Sequence, residues 1–171
     1  MARVVMNPAW LHRYARQAAE QVVRVFMTAY IAEVKRLMRE PKSGRVYVFA
    51  DGTVHRASAP DEAPAVDTKT LIGAIDFVMR ETPTGFEGVA GVLENAAVNP
   101  RNGVDPNVYA LYLEFGTSKM APRPSWRPAV GPALEFAKQR LRASALKVGV
   151  TGQFQGAIGD VETVFQEGEA F

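Results

Sequence analysis

Residues able to do chemistry are few in this 171-residue chain, and their spacing suits no catalytic or metal-binding pattern. Its two histidines are His12 and His55, and neither has an Asp, Glu or second His at a metal-ligand spacing. A surface or partner-facing role is expected for both. Asp61, Glu62 and Asp67 form a carboxylate cluster that could imitate a metal loop or an acid–base pair. Such loops space their oxygens at short regular intervals around a Gly turn. Here Pro60 and Pro64 interrupt, so solvated loop carboxylates are expected. Ser58, Ser118 and Ser125 have no evident base partner. No nucleophile elbow, zinc-protease His–Glu pair, phosphate-cradling Gly loop or dinucleotide fingerprint occurs. With no cysteine, thiolate metal sites and thiol catalysis drop out as well. The expectation is a protein that is not an enzyme and holds neither metal nor cofactor.

The elements that would position any site begin with one long helix. From Pro8 to Glu40 there is no Gly and no second Pro, and Asn7-Pro8 reads as an N-cap with Pro at the first helical position. Leu11, Ala15, Ala18, Val22, Phe26, Ala29 or Tyr30, and Val34 lie on one stripe at steps of three and four, continued by Leu37 and Met38. A helix over 8–40 exceeds what a compact small domain needs. Either part of it packs on another chain, or it lies across its own sheet. Pro41-Lys42-Ser43-Gly44 ends it.

Arg45–Phe49 and Thr53–Arg56 read as a hairpin around Asp51-Gly52. A Pro-punctuated loop follows over 57–65, and Asp67 or Thr68 can cap a short helix over 69–74. Strands are expected at 75–80 and 86–95, a turn at 99–103, and an aromatic-rich helix at 108–115 with Gly116 beyond its end. A last helix should run from Trp126 or Pro128 to Lys147, kinked or restarted at Pro132. Leu134, Phe136, Ala137 and Leu141 give it an apolar side. The predicted fold is α+β: one domain over 1–147 with an antiparallel sheet of about four strands and the C-terminal helix packed on it. Residues 148–171 read as an extended arm, with one strand at 161–165.

Composition is globular, at 47% hydrophobic and 22% charged. No apolar run has the ~18 residues of a membrane span, and no secretory signal is evident at the start. The net charge of +2 conceals alternating blocks. Residues 1–45 hold nine cations against three acids, and 46–116 hold four against ten; residues 117–147 hold seven against one, and 148–171 hold four acids alone. Such blocks either neutralise one another within a monomer or let subunits meet head to tail. The two basic blocks could also follow a nucleic-acid backbone without reading sequence.

One stretch stands out physically. Tyr109, Tyr112, Leu113 and Phe115 give a short helix an apolar face, and Gly116 stops it. Thr117-Ser118-Lys119 then leads through Pro122 and Pro124 to a new helix start at Arg127-Pro128. Glu114 and Arg127 flank the loop and could pair to brace the turn.

This stretch, with the upstream Ser58-Ala59-Pro60 and Val66-Asp67-Thr68, resembles the siphophage tail-component family that acts in head–tail joining and tail completion. Tyr109 to Lys119 and Arg127-Pro128-Ala129 match the family pattern closely. Ser125-Trp126 stands where that family usually has an aromatic–aliphatic pair, and Lys69 replaces its Gly after Asp67-Thr68. The likeness runs over about residues 10–145 and leaves out the arm. It implies a structural virion protein forming a ring of identical subunits in the neck or at the head-proximal end of a long non-contractile tail. It would be assembled in the host cytoplasm and would contact other neck, tail-terminator or tail-tube proteins. Genomic DNA could pass through its lumen without specific contact, and no membrane is involved. The alternative function is a sequence-independent nucleic-acid-binding module.

Overall fold

A computed structural model describes residues 8–148, with side-chain detail over 15–143. The long helix, α1, runs Pro8–Arg39. A small antiparallel hairpin follows, β1 (Val46–Val48) and β2 (Val54–Arg56), in register Val46↔Arg56 and Val48↔Val54. Helix α2 (Thr70–Ala74) leads without a break into β3 (Ile75–Thr82), which pairs antiparallel with β4 (Gly85–Val92) from Ile75↔Val92 to Thr82↔Gly85. Helices α3 (Pro106–Phe115) and α4 (Trp126–Val148) complete the order.

The fold is α+β as predicted, but the single sheet of about four strands is not formed. The strands make two separate two-stranded sheets, β1–β2 and β3–β4. The 57–65 loop and α2 intervene between them, and β1 and β2 are only three residues long, too short to extend a second ladder. The C-terminal helix is also placed differently from expectation. It packs on α1 rather than on a sheet, and α1 lies between α4 and the β3–β4 hairpin.

The side chains explain that sandwich. Val22, Phe26, Ala29, Tyr30, Val34 and Met38 are buried, as the stripe predicts. Met27 and Ile31, off the stripe, are buried too. α1 is therefore covered on two sides. On one side, Ala129, Ala133, Ala137 and Leu141 form a small-residue row at steps of four along α4, so the two helices approach closely. Phe136, assigned to the apolar side of α4, is instead exposed. On the other side, β4 comes so near α1 that a Cβ on Gly88 would sit 2.5 Å from Met27 Cγ. Val34, at 0% exposure, and Ile75, at 1%, are fully enclosed in the core these layers share. The apolar residues at 15–21, by contrast, are exposed or half-buried.

α4 continues across Pro132, so of the kink or restart expected there the restart does not occur. The carbonyl that loses its helical donor there belongs to exposed Pro128, where water can serve it. The cap position of α2 is Lys69, in left-handed backbone at φ 63° with no side-chain cap, so neither Asp67 nor Thr68 caps the helix. α3 starts two residues earlier than expected because Asp105 accepts the Asn107 N–H at 2.8 Å and Pro106 takes the first turn. Asn7, the predicted cap of α1, and the arm beyond Val148 lie outside the described residues.

Candidate functional site

The centre of the motif region is the Glu114 carboxylate. It is buried on the inner side of α3 and enters the first turn of α4. Its Oε2 accepts the backbone N–H groups of Ser125 (2.8 Å) and Trp126 (3.1 Å), and its Oε1 accepts that of Arg127 (3.0 Å) and the Arg127 Nε–H (3.3 Å). Helix starts leave backbone donors orphaned and carry partial positive charge. Glu114 supplies an anion to that end from eleven residues upstream. The Arg127 guanidinium donates back to the Glu114 carbonyl at 2.9 Å and lies 5.3 Å from the Phe115 ring centre. The pairing expected between Glu114 and Arg127 is present, and the capping of α4 goes beyond it.

The loop between α3 and α4 is held tightly. Gly116 has φ +78° and donates to the Tyr112 carbonyl. A Cβ there would lie 2.8 Å from Met120 O and 3.0 Å from Pro122. Thr117 N–H donates to Met120 O at 2.8 Å, and Thr117 Oγ1 accepts the Lys119 N–H at 3.2 Å. Arg123 N–H reaches the Leu113 carbonyl at 2.6 Å, closing the loop back on α3. Pro124 is half-buried beside it and Pro128 exposed. Tyr30, whose part sequence patterning does not reveal, donates from α1 to the Trp126 carbonyl at 3.1 Å and meets the indole edge-on. Burial and the Glu114 charge push its hydroxyl pKa well above the ordinary tyrosine value.

The two motif segments meet. Asp61, in left-handed backbone at φ 64°, donates its N–H to the Pro122 carbonyl at 3.0 Å, tying the 57–65 loop to the loop between α3 and α4. Ser58 is buried; Pro60 is exposed. The carboxylates do not act as one cluster: Asp61 is held through its backbone, and Glu62 and Asp67 have separate partners. Glu62 accepts the Ser43 hydroxyl (2.5 Å), the Ser43 N–H (3.1 Å) and the Ala59 N–H (2.8 Å), bonds that hold its pKa down at about 2. Asp67 pairs with Arg101 Nε at 3.1 Å and lies 4.0 Å from His55 Nδ1. The Arg101 guanidinium stands 3.9 Å from the centre of the Phe49 ring. Thr68 and Thr70 hydroxyls bond to each other at 2.9 Å. Among the described residues no three His, Asp or Glu side chains converge to hold a metal ion, and no helix is long and apolar enough to cross a membrane.

α3 therefore has two faces. Glu114 and Pro106 are buried, with Tyr109 and Leu113 partly so, while Val108, Leu111, Tyr112 and Phe115 are exposed. Val108–Leu111 and Tyr112–Phe115 are three apart, and Val108–Tyr112 and Leu111–Phe115 four apart, which puts these four on one outward stripe. Comparison with protein-family models, with curated proteins and with solved structures finds no match to this chain.

Proposed function

We propose that this chain is a structural virion protein of a tailed phage, prophage or gene transfer agent. It forms a homo-oligomeric ring in the neck or at the head-proximal end of the tail and serves head–tail joining or tail completion. One observation carries the reading. The segment that resembles the tail-component family is built as a brace: Glu114, Arg127, Gly116 and the Asp61–Pro122 bond fix α3 in place, and the fixed helix turns an apolar stripe outward. A braced, solvent-facing row of large apolar side chains suits a protein that acts by contact with other subunits.

The test is deletion of the gene from the phage or prophage that carries it, with complementation and particle counts by electron microscopy. Loss of the protein should leave separate heads and tails, and purified virions should contain many copies of it. Normal tailed particles without the protein would overturn the structural reading. A form lacking residues 148–171 should stay folded yet fail to join heads to tails.

A further inference from the structure

A second exposed apolar face lies on the β1–β2 hairpin. Strand alternation and the Val48↔Val54 register place Val46, Val48 and Val54 on one side, with Tyr47 and His55 on the other. His55 lies beside Phe49, against which Arg101 stacks, so His55 turns toward the body of the protein, while Tyr47 on the same side stays 44% exposed. The valine side is the more open: Val48 is 72% exposed, Val54 65% and Val46 41%. A lone two-stranded hairpin is marginally stable in water, and three uncovered valines on it call for cover.

We infer that the valine face of one copy docks on the outward α3 stripe of a second copy, a contact that rests on the ring reading above. Charge and length both fit. The base of the hairpin carries exposed Arg45 and Arg56, and its turn carries exposed Asp51. The α3 stripe has the opposite arrangement, with exposed Glu94 and Asp105 at its N-terminal end and Lys119 and Arg127 at its C-terminal end. Asn107 bonds to the Leu93 carbonyl, which keeps Glu94 beside that N-terminal end. From Arg45 to Asp51 the hairpin spans about 20 Å, and α3 from its cap to Phe115 spans about 15 Å. Laid along α3, the hairpin base meets acids and its tip meets cations, with the valines on Val108, Leu111 and Tyr112 between. The apolar contact supplies affinity and the charged ends set direction. Because the two surfaces differ, each copy offers one of each, and the contact is heterologous, the type that closes a ring or extends a filament.

The absence of cysteine makes the test clean. Val48→Cys and Leu111→Cys are prepared as separate proteins and treated with a short bismaleimide, alone and mixed. A cross-linked dimer should form in the mixture and in neither protein alone. Arg56→Glu in the Val48→Cys protein should lower the yield at least fivefold, and Glu94→Arg in the Leu111→Cys protein should restore it. Cross-linking of Val48→Cys with itself would mean hairpin on hairpin, and of Leu111→Cys with itself α3 on α3. Either result overturns the proposal. Oligomers by mass measurement with no cross-link in the mixture overturn this contact and leave the ring reading standing. A protein that stays monomeric overturns the contact, while the virion role is judged separately by complementation.

Discussion

Glu114 and Arg127 hold each other twice. The carboxylate accepts the Arg127 backbone N–H at 3.0 Å, and the Arg127 side chain donates to the Glu114 carbonyl at 2.9 Å. The carboxylate is nearly enclosed, at 6% exposure, whereas the guanidinium is 45% exposed. Their removal should therefore differ in cost. Glu114→Ala strands backbone donors at the start of α4 and should lower stability by about 2–3 kcal/mol. Arg127→Ala should cost less, about 1 kcal/mol, because water can replace much of what it does. Urea unfolding of the two variants checks the order; equal losses would mean that Glu114 serves the ion pair and not the helix start.

Gly116 and Gly103 separate two causes of strain. Both have positive φ, +78° and +69°, but only Gly116 has atoms where a Cβ would go. Gly103→Ala should cost about 1 kcal/mol from backbone conformation alone. Gly116→Val should cost more, since the side chain also displaces Met120 or Pro122. Thermal melts of both read the difference, and an unchanged melting temperature for Gly116→Val would contradict the loop geometry.

Glu62 gives stability a defined dependence on acid. Its pKa falls from the ordinary carboxylate value to about 2, first through the Ser43 hydroxyl and then through the Ala59 and Ser43 N–H groups. A group depressed in the folded state contributes its stabilisation above its unfolded pKa and loses it as pH falls through the folded value. The stability gap between the wild type and Glu62→Gln should be full above about pH 5 and narrow steadily toward pH 2. Unfolding curves at intervals over that range test it, and a constant gap would rule the carboxylate's charge out as the cause.

DNA binding should be weak at physiological salt. On α1, Arg16 pairs with Glu81, Arg24 with Glu20, and Arg36 with both Glu33 and Glu40. Cations already engaged have less to offer phosphates. A dissociation constant for duplex DNA tighter than about micromolar, with a steep salt dependence, would favour the nucleic-acid alternative.

Local order was readable in the chain. The span of α1, the hairpin around Asp51-Gly52, the stop at Gly116 and the Glu114–Arg127 pair all rest on residues near one another in sequence, where periodicity and turn chemistry act. Misplaced features depend on distant partners. The second buried side of α1, at Met27 and Ile31, exists because β4 arrives there at Gly88. α4 meets α1 through an alanine row, which carries little hydrophobic signal beside the larger Phe136 and Leu134. Asp67 finds Arg101 across thirty-four positions, a pairing no motif spacing announces.

The layering of α1 has a consequence for synthesis. Tyr30 and its partner Trp126 are 96 positions apart, so α1 leaves the ribosome long before α4 exists. At about 5–20 residues per second, the face of α1 around Phe26 and Tyr30 waits roughly 5–20 s for its cover. During that interval the β3–β4 hairpin can shield only the Met27 side. Folding of the nascent chain should thus pause at a half-covered helix, and chaperone capture should peak on chains released after about residue 95 and vanish once Leu141 has emerged.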